Sequence, residues 1–206
     1  SFKSTITLKI AATGKSFISL PLPASQLAIP ILSQLTSRSK YLSVRPEKRS
    51  GSYFLTLADY ETQSSIARTK YRFGSGKPPE VHIGADDDLA SQVFSVESQG
   101  IVSRSVGFAY RGEKYRWRYA GRKERSAEVK NLLVLENQEG ERIARLVRGE
   151  GTRMAGTKAR DAGNGGVLEI AEVGGEMIVV VVITALVMLK KEIDRLRGRQ
   201  LDAMAA

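Results

Sequence analysis

Lysine and arginine alternate with tyrosine and tryptophan in KYRWRY, residues 114–119. They belong to a basic stretch in which Arg104, Arg111, Lys114, Arg116, Arg118, Arg122, Lys123 and Arg125 stand against Glu113 and Glu124, a surplus of six positive charges in 22 residues. Guanidinium and ammonium groups at this density pair with phosphate oxygens, arginine through a planar fork of donors and lysine as a point charge. In an extended strand successive side chains point to opposite faces. Tyr115, Trp117 and Tyr119 therefore share one face, and Lys114, Arg116 and Arg118 the other. RGEK, residues 111–114, can turn the chain and set Phe108 and Tyr110 beside the second strand's aromatics. The aromatic face then packs inward and the outer face carries a basic stripe. Two readings of the stripe stand: a solvated face that serves solubility, or a binding face for phosphate groups on lipid or nucleic acid. Trp117 reads as core ahead of a base-stacking or membrane-inserting role. The sequence carries no recognition motif of a common nucleic-acid module.

Other stretches could do chemistry only with a frame that the sequence lacks. ATGKS places Gly14, Lys15 and Ser16 after a strand, but a P-loop needs glycine where Lys9 stands, and FISLPLP does not read as the helix that should follow. GTRMAGTK has Gly151 and Gly156 at the right spacing, with Thr157 and Lys158 in the wrong order. Both read as turns, although backbone amides of the second could nest an anion beside Arg148 and Arg153. Asp86, Asp87 and Asp88 are adjacent in ADDDL, whereas calcium loops space their ligands alternately so that oxygens converge. A solvated loop or a helix cap is the better reading. His82 is the single histidine, so a multi-histidine metal site is impossible, and a serine–histidine relay would have to use it without a nucleophile motif. With no cysteine, disulfides and thiolate metal sites are excluded, which suits a reducing compartment. The expectation is a protein that is not an enzyme and takes no cofactor or metal.

The elements that must position these residues are mostly strands. The 206 residues are 42% apolar and 26% charged, with a formal net charge of +10, which favours anionic partners. STITLKI alternates with period two, ATGK turns, and SFISL returns. Ten further strand candidates follow: KYLSV, GSYFLTLA, TKYRFG, EVHIG, QVFSVES, GIVSRSVGFAYR, EKYRWRYAG, NLLVLEN, RIARLVR and GVLEIAE. RIARLVR also fits a helical face. SQLAIPILSQLTS, residues 25–37, predicts a short helix from the four-residue spacing of Leu27, Ile31 and Leu35, limited by Pro30. MIVVVVITALVML, residues 177–189, is 13 residues long and bounded by Glu176 and Lys190. A spanning helix needs about 20 apolar residues, so this run is too short to cross a bilayer. Val179 to Val182 would suit a buried strand, yet Leu186, Leu189, Ile193 and Leu196 follow a helical face, and one helix over 177–197 is the favoured reading. A helix apolar on every side must be buried on every side. Among strands, that calls for a closed barrel around it, with more than about eight strands to leave room. The expected fold is mainly β: one domain over 1–206, an antiparallel closed β-barrel of about 12 strands around a C-terminal hydrophobic helix.

KYRFGSGKPPEVHIG, VESQGIVSRSVGF, YRWRYAGRKE, LVRGEGTR and ITALVMLKKEIDRLR resemble an uncharacterised family of filamentous-fungal proteins, over about residues 5–200. The barrel threaded by an apolar helix is in turn similar to the tubby C-terminal-like fold, shared by LURP-one-related proteins and phospholipid scramblases. Tubby domains bind phosphoinositides through basic residues on the barrel surface. Their motif has no residue-by-residue match here, so the resemblance implies the class of activity and not the residues. The function expected is a non-catalytic, cytoplasmic binding protein that docks on anionic, phosphoinositide-containing membranes through its basic face. Peripheral-membrane and nuclear placements both fit. The alternatives are nucleic-acid binding by the same face and a protein-interaction scaffold with no small ligand. Ligand identity, protein partners, oligomeric state and any leader before Ser1 stay open.

Overall fold

The computed structural model describes residues 2–14, 28–47, 51–58, 64–72, 77–84, 92–100, 103–126, 129, 131–158 and 161–205. Period-two patterning yields strands through most of them. The first seven are β1 (Ile6–Ile10), β2 (Ala28–Ser33), β3 (Ser39–Val44), β4 (Ser52–Leu57), β5 (Ser65–Lys70), β6 (Glu80–Ile83) and β7 (Gln92–Ser95). They are followed by β8 (Glu97–Ser98), β9 (Val106–Tyr110), β10 (Glu113–Tyr119), β11 (Asn131–Asn137), β12 (Arg142–Arg148) and β13 (Gly166–Ile170). A helix of 31 residues, α1 (Gly175–Ala205), comes last.

All thirteen strands form one antiparallel sheet in the order β7-β6-β5-β4-β3-β2-β1-β13-β12-β11-β10-β9-β8. The two ends of this order meet. Phe94 of β7 stacks on Phe108 of β9 at 5.3 Å and packs edge-on against Tyr110 at 5.7 Å. The sheet is thus a nearly closed barrel whose seam is filled by aromatic rings. Inward residues such as Leu8, Ile31, Leu55, Leu133, Leu146 and Leu168 join α1 in a single core cluster. Along α1, residues 180–185 are all buried, which no surface helix with one apolar face would show. Burying each valine side chain is worth about 1.5–3 kcal/mol, and the valine run collects this only with wall on every side.

The helix expected over 177–197 is present and longer, and residues 177–183 are helical, not extended. RIARLVR is strand β12. The helix expected over 25–37 is not formed in its described part, 28–37, which is strand β2 followed by a turn, with Ile31 facing Ile10 on one side and Tyr41 on the other. Pro30 explains the choice. Within a helix it would break a hydrogen bond, whereas in β2 its carbonyl accepts from the Ala11 N–H at 2.9 Å, just past the last β1–β2 pair. TKYRFG is only half right, since β5 ends at Lys70. SFISL lies outside the described residues, as do Asp86, Asp87 and Asp88.

Antiparallel order assigns each connection to one of two rims. The lower rim holds the start of α1 and the turns after β2, β9 and β11. The upper rim, where α1 emerges, holds the connections after β3, β5, β8, β10 and β12.

Candidate anion-binding rim

The β9–β10 hairpin turns on Arg111 and Gly112, both at positive φ (52° and 82°), the conformation of a two-residue type I′ turn. That turn sets the register and hence which side chains face in. Trp117 is fully buried and donates from Nε1 to Thr184 Oγ1 of α1 at 3.0 Å; Thr184 donates onward to the Val180 carbonyl at 2.7 Å. Tyr115 stacks on Phe108 at 5.3 Å. The alternation read from KYRWRY therefore places its aromatics inward and its cations outward.

The outward cations of the wall are tied to carboxylates. Arg118 donates to both oxygens of Glu124 at 2.8 and 2.9 Å and to Glu136 at 2.8 Å. Arg116 reaches Glu136 at 3.3 Å, and Arg142 reaches Glu124 at 2.5 Å. Hydrogen bonding from Arg118, then from the Gly121 N–H, pulls the Glu124 carboxyl from 4.5 down to about 2, while the same carboxylates raise Arg118. Arg111, at the lower rim, bonds Glu176 at the start of α1, and Glu176 also accepts from the Tyr110 hydroxyl. Lys114 is exposed near the same rim.

The other four candidates lie at the upper rim. Arg104 sits over the Tyr119 ring at 6.0 Å and, with Arg125, lines a cleft of ≈ 370 Å³. Arg122 and Lys123 are exposed on a 3-10 turn whose first amide, Gly121 N–H, donates to Glu124 at 2.8 Å. The eight predicted cations thus divide between two rims and the wall between them.

A second group of cations gathers at the upper rim. Arg45 follows β3, Arg72 follows β5, Lys77 precedes β6, and Lys190, Lys191 and Arg197 project from α1 around an opening of ≈ 410 Å³. Asp194 is the carboxylate on its lining among the described residues. Sequence reasoning passed over these six because they are scattered from residue 45 to residue 197. Strand direction alone would have found them, since alternate connections of an antiparallel sheet share a rim.

The emerging helix is fixed by a buried ion pair. Arg148 of β12 donates to Glu192 of α1 at 2.8 and 2.7 Å, and Glu192 also accepts from the Gly163 N–H at 2.9 Å and from the Tyr119 hydroxyl. Burial works against the Glu192 carboxylate, but these donors, Arg148 first, hold its pKa below the ordinary value. Arg148 and Arg153, the cations of the suggested anion nest, are engaged within the protein: Arg153 donates to the Thr157 carbonyl at 3.1 Å. Gly14 is likewise used, its N–H donating to Asn164 Oδ1 at 3.0 Å; Lys15 and Ser16 lie outside the described residues. His82 sits on β6, paired across the sheet with Arg68 and Val93. Among the described residues no group of three His, Cys, Asp or Glu side chains could hold a metal ion, and no helix is long and apolar enough to cross a membrane.

Comparison with protein-family models, with curated proteins and with solved structures returns no match.

Proposed function

We propose that the protein is a non-catalytic binding protein that docks on anionic, phosphoinositide-containing membrane surfaces, with the upper rim as its docking face. The observation that carries this reading is the gathering of cations from many chain segments around the emerging helix. Arg104, Arg122, Lys123 and Arg125 contribute from one side, and Lys190, Lys191 and Arg197 from α1 itself. Wall cations such as Arg118 are held by glutamates. The tubby-like resemblance adds the class of ligand to this reading, and the barrel around an apolar helix is consistent with it.

Vesicle co-sedimentation tests the proposal. Phosphatidylcholine vesicles are compared with the same vesicles carrying phosphatidylinositol 4,5-bisphosphate, at low and high salt. Each cation near an anionic surface is worth about 1 kcal/mol. Arg122→Glu with Lys123→Glu should therefore weaken binding by more than about tenfold. Arg38→Glu with Lys40→Glu, across the barrel at the lower rim, should change it much less. Equal binding to neutral and anionic vesicles sinks the proposal. Salt-sensitive capture of an oligonucleotide with no vesicle binding would replace it by nucleic-acid binding.

A further inference from the structure

We infer that the recess between α1 and the inner faces of β2 to β5 is a binding site for a small uncharged amphiphile, a molecule with a short apolar end and a hydroxyl or carbonyl oxygen. The inference is independent of the docking reading, because it uses the inside of the barrel and no surface charge.

The recess follows from side-chain size. Where α1 turns Ile183, Leu186 and Leu189 towards this wall, the strands answer with short residues, Ser43 on β3 and Thr69 on β5, on either side of Leu55 on β4. Elsewhere around the helix the wall is filled by larger side chains such as Leu133, Leu146 and Trp117. The space left measures ≈ 60 Å³. Room on that scale takes about four waters, each of which needs two to four polar partners. A wall of leucine and isoleucine does not supply them, whereas it packs against a short hydrocarbon end as it packs against itself.

Two hydroxyls on this wall ask for a polar atom as well. Ser43 and Thr69 are only 5% and 2% exposed, and neither hydroxyl has a hydrogen-bond partner among the described residues. Other buried hydroxyls are engaged: Thr56 donates to the Leu42 carbonyl at 3.3 Å and Thr184 to the Val180 carbonyl at 2.7 Å. An unpaired hydroxyl out of water is costly, and an oxygen of a ligand seated in the recess answers it. An apolar lining with a few placed polar groups is the usual make-up of a small-molecule site.

The mouth decides the charge of the ligand. The recess meets the upper-rim opening at Tyr53, Tyr71 and Lys190, which border both. Lys190 lies over the Tyr71 ring at 5.1 Å and is bonded to Asp194 at 2.5 and 2.6 Å, so its charge is already answered. Tyr53 and Tyr71 pack edge to face at 5.2 Å, and burial first of all raises both phenols, which stay neutral. A charged head would lose its water here without gaining a counter-charge, and a neutral head would not.

Titration of the full chain with the linear alcohols from ethanol to 1-hexanol, followed by the methyl resonances of the protein, tests the site. The methyls of Ile183, Leu186 and Leu189 should shift and saturate, and those of Leu133 and Leu146 should not move. Affinity should rise about fourfold with each added methylene and level off once the recess is full. Ser43→Ala with Thr69→Val removes both hydroxyls at little change of shape and should weaken 1-butanol binding about fivefold. The same variant without ligand should unfold at an equal or higher urea concentration than wild type, because no internal hydrogen bond is lost. Ser43→Leu fills the space and should abolish the shifts. Shifts that never saturate, or that spread to Leu133 and Leu146, mean general partition into the core and overturn the site. So does a Ser43/Thr69 variant that binds 1-butanol as wild type does, or one that is less stable without ligand, since the hydroxyls would then serve the fold.

Discussion

Trp117 is the only tryptophan, and its indole N–H is committed to Thr184 deep between wall and helix. Thr184→Val keeps the shape of the side chain and removes the acceptor, leaving a buried donor unpaired. Urea unfolding should show a loss of about 1–3 kcal/mol, and adding Trp117→Phe should recover part of it, because the orphaned donor goes too. Glu124 makes a prediction of a different kind. Its folded pKa, about 2, lies below the unfolded value of 4.5, so its contribution is present above 4.5 and is lost as pH falls towards 2. Glu124→Gln should cost about 1 kcal/mol at neutral pH, discounted for the partial exposure of the cluster, and the variant and wild type should converge near pH 2. At the alkaline limit the sign reverses. Tyr110 and Tyr115 are pushed up to about 12, first by burial and then by hydrogen bonds to Glu176 and Glu113. Their stabilisation is complete below pH 10 and is lost as pH rises through 12. Absorbance titration should therefore resolve a tyrosine fraction ionising near 12; complete ionisation near 10 in the folded protein would contradict the geometry.

At the scale of elements, α1 is both the axle of the barrel and the source of three of the six cations around the upper-rim opening. Arg148 and Glu192 fix its angle of emergence. Removing one partner of a buried ion pair strands the other charge, so Glu192→Gln should cost about 3–5 kcal/mol, whereas Arg148→Met with Glu192→Leu should cost far less. Thermal denaturation of the two variants checks this, and equal losses in the single and the double variant would refute it. The helix itself was legible in the sequence, because its valine run and the later Leu/Ile spacing share one unbroken stretch with no Gly or Pro after Gly175 until Gly198. The strands of clear alternation, β1 and β10, were legible for the same reason: a local period reports a local geometry. AIPILS was not. Its spacing suits a helix as well as a strand, and its choice was made by partners distant in sequence, Ile10 and Tyr41. Gly165 shows the same limit. A Cβ there would lie 1.9 Å from the Ile10 carbonyl oxygen, a close approach between chain segments that no local pattern announces.

The whole molecule sorts its charges by rim, and that sorting is invisible in linear order. The basic stretch at 104–125 reads as one patch, yet a seven-residue strand carries its ends to opposite rims: Arg111 joins the lower, and Arg122 with Lys123 the upper. Cations far apart in sequence meet instead, Arg45 with Arg197. A charged face at one end implies an orientation as well as an affinity: on an anionic surface the upper rim should face the bilayer, with the helix axis steeply inclined to it. The absence of cysteine makes this measurable with single labels. Ser126→Cys places an environment-sensitive fluorophore at an exposed position on the upper rim, and Glu139→Cys places one at an exposed position on the lower-rim turn after β11. Adding anionic vesicles should shift the emission of the first label and leave the second unchanged. Because exposed charges are screened over about 10 Å at 0.1 M salt and about 3 Å at 1 M, high salt should reverse the shift. Equal shifts at both rims would mean binding without orientation, and a shift confined to Glu139→Cys would place the docking face at the wrong end of the barrel.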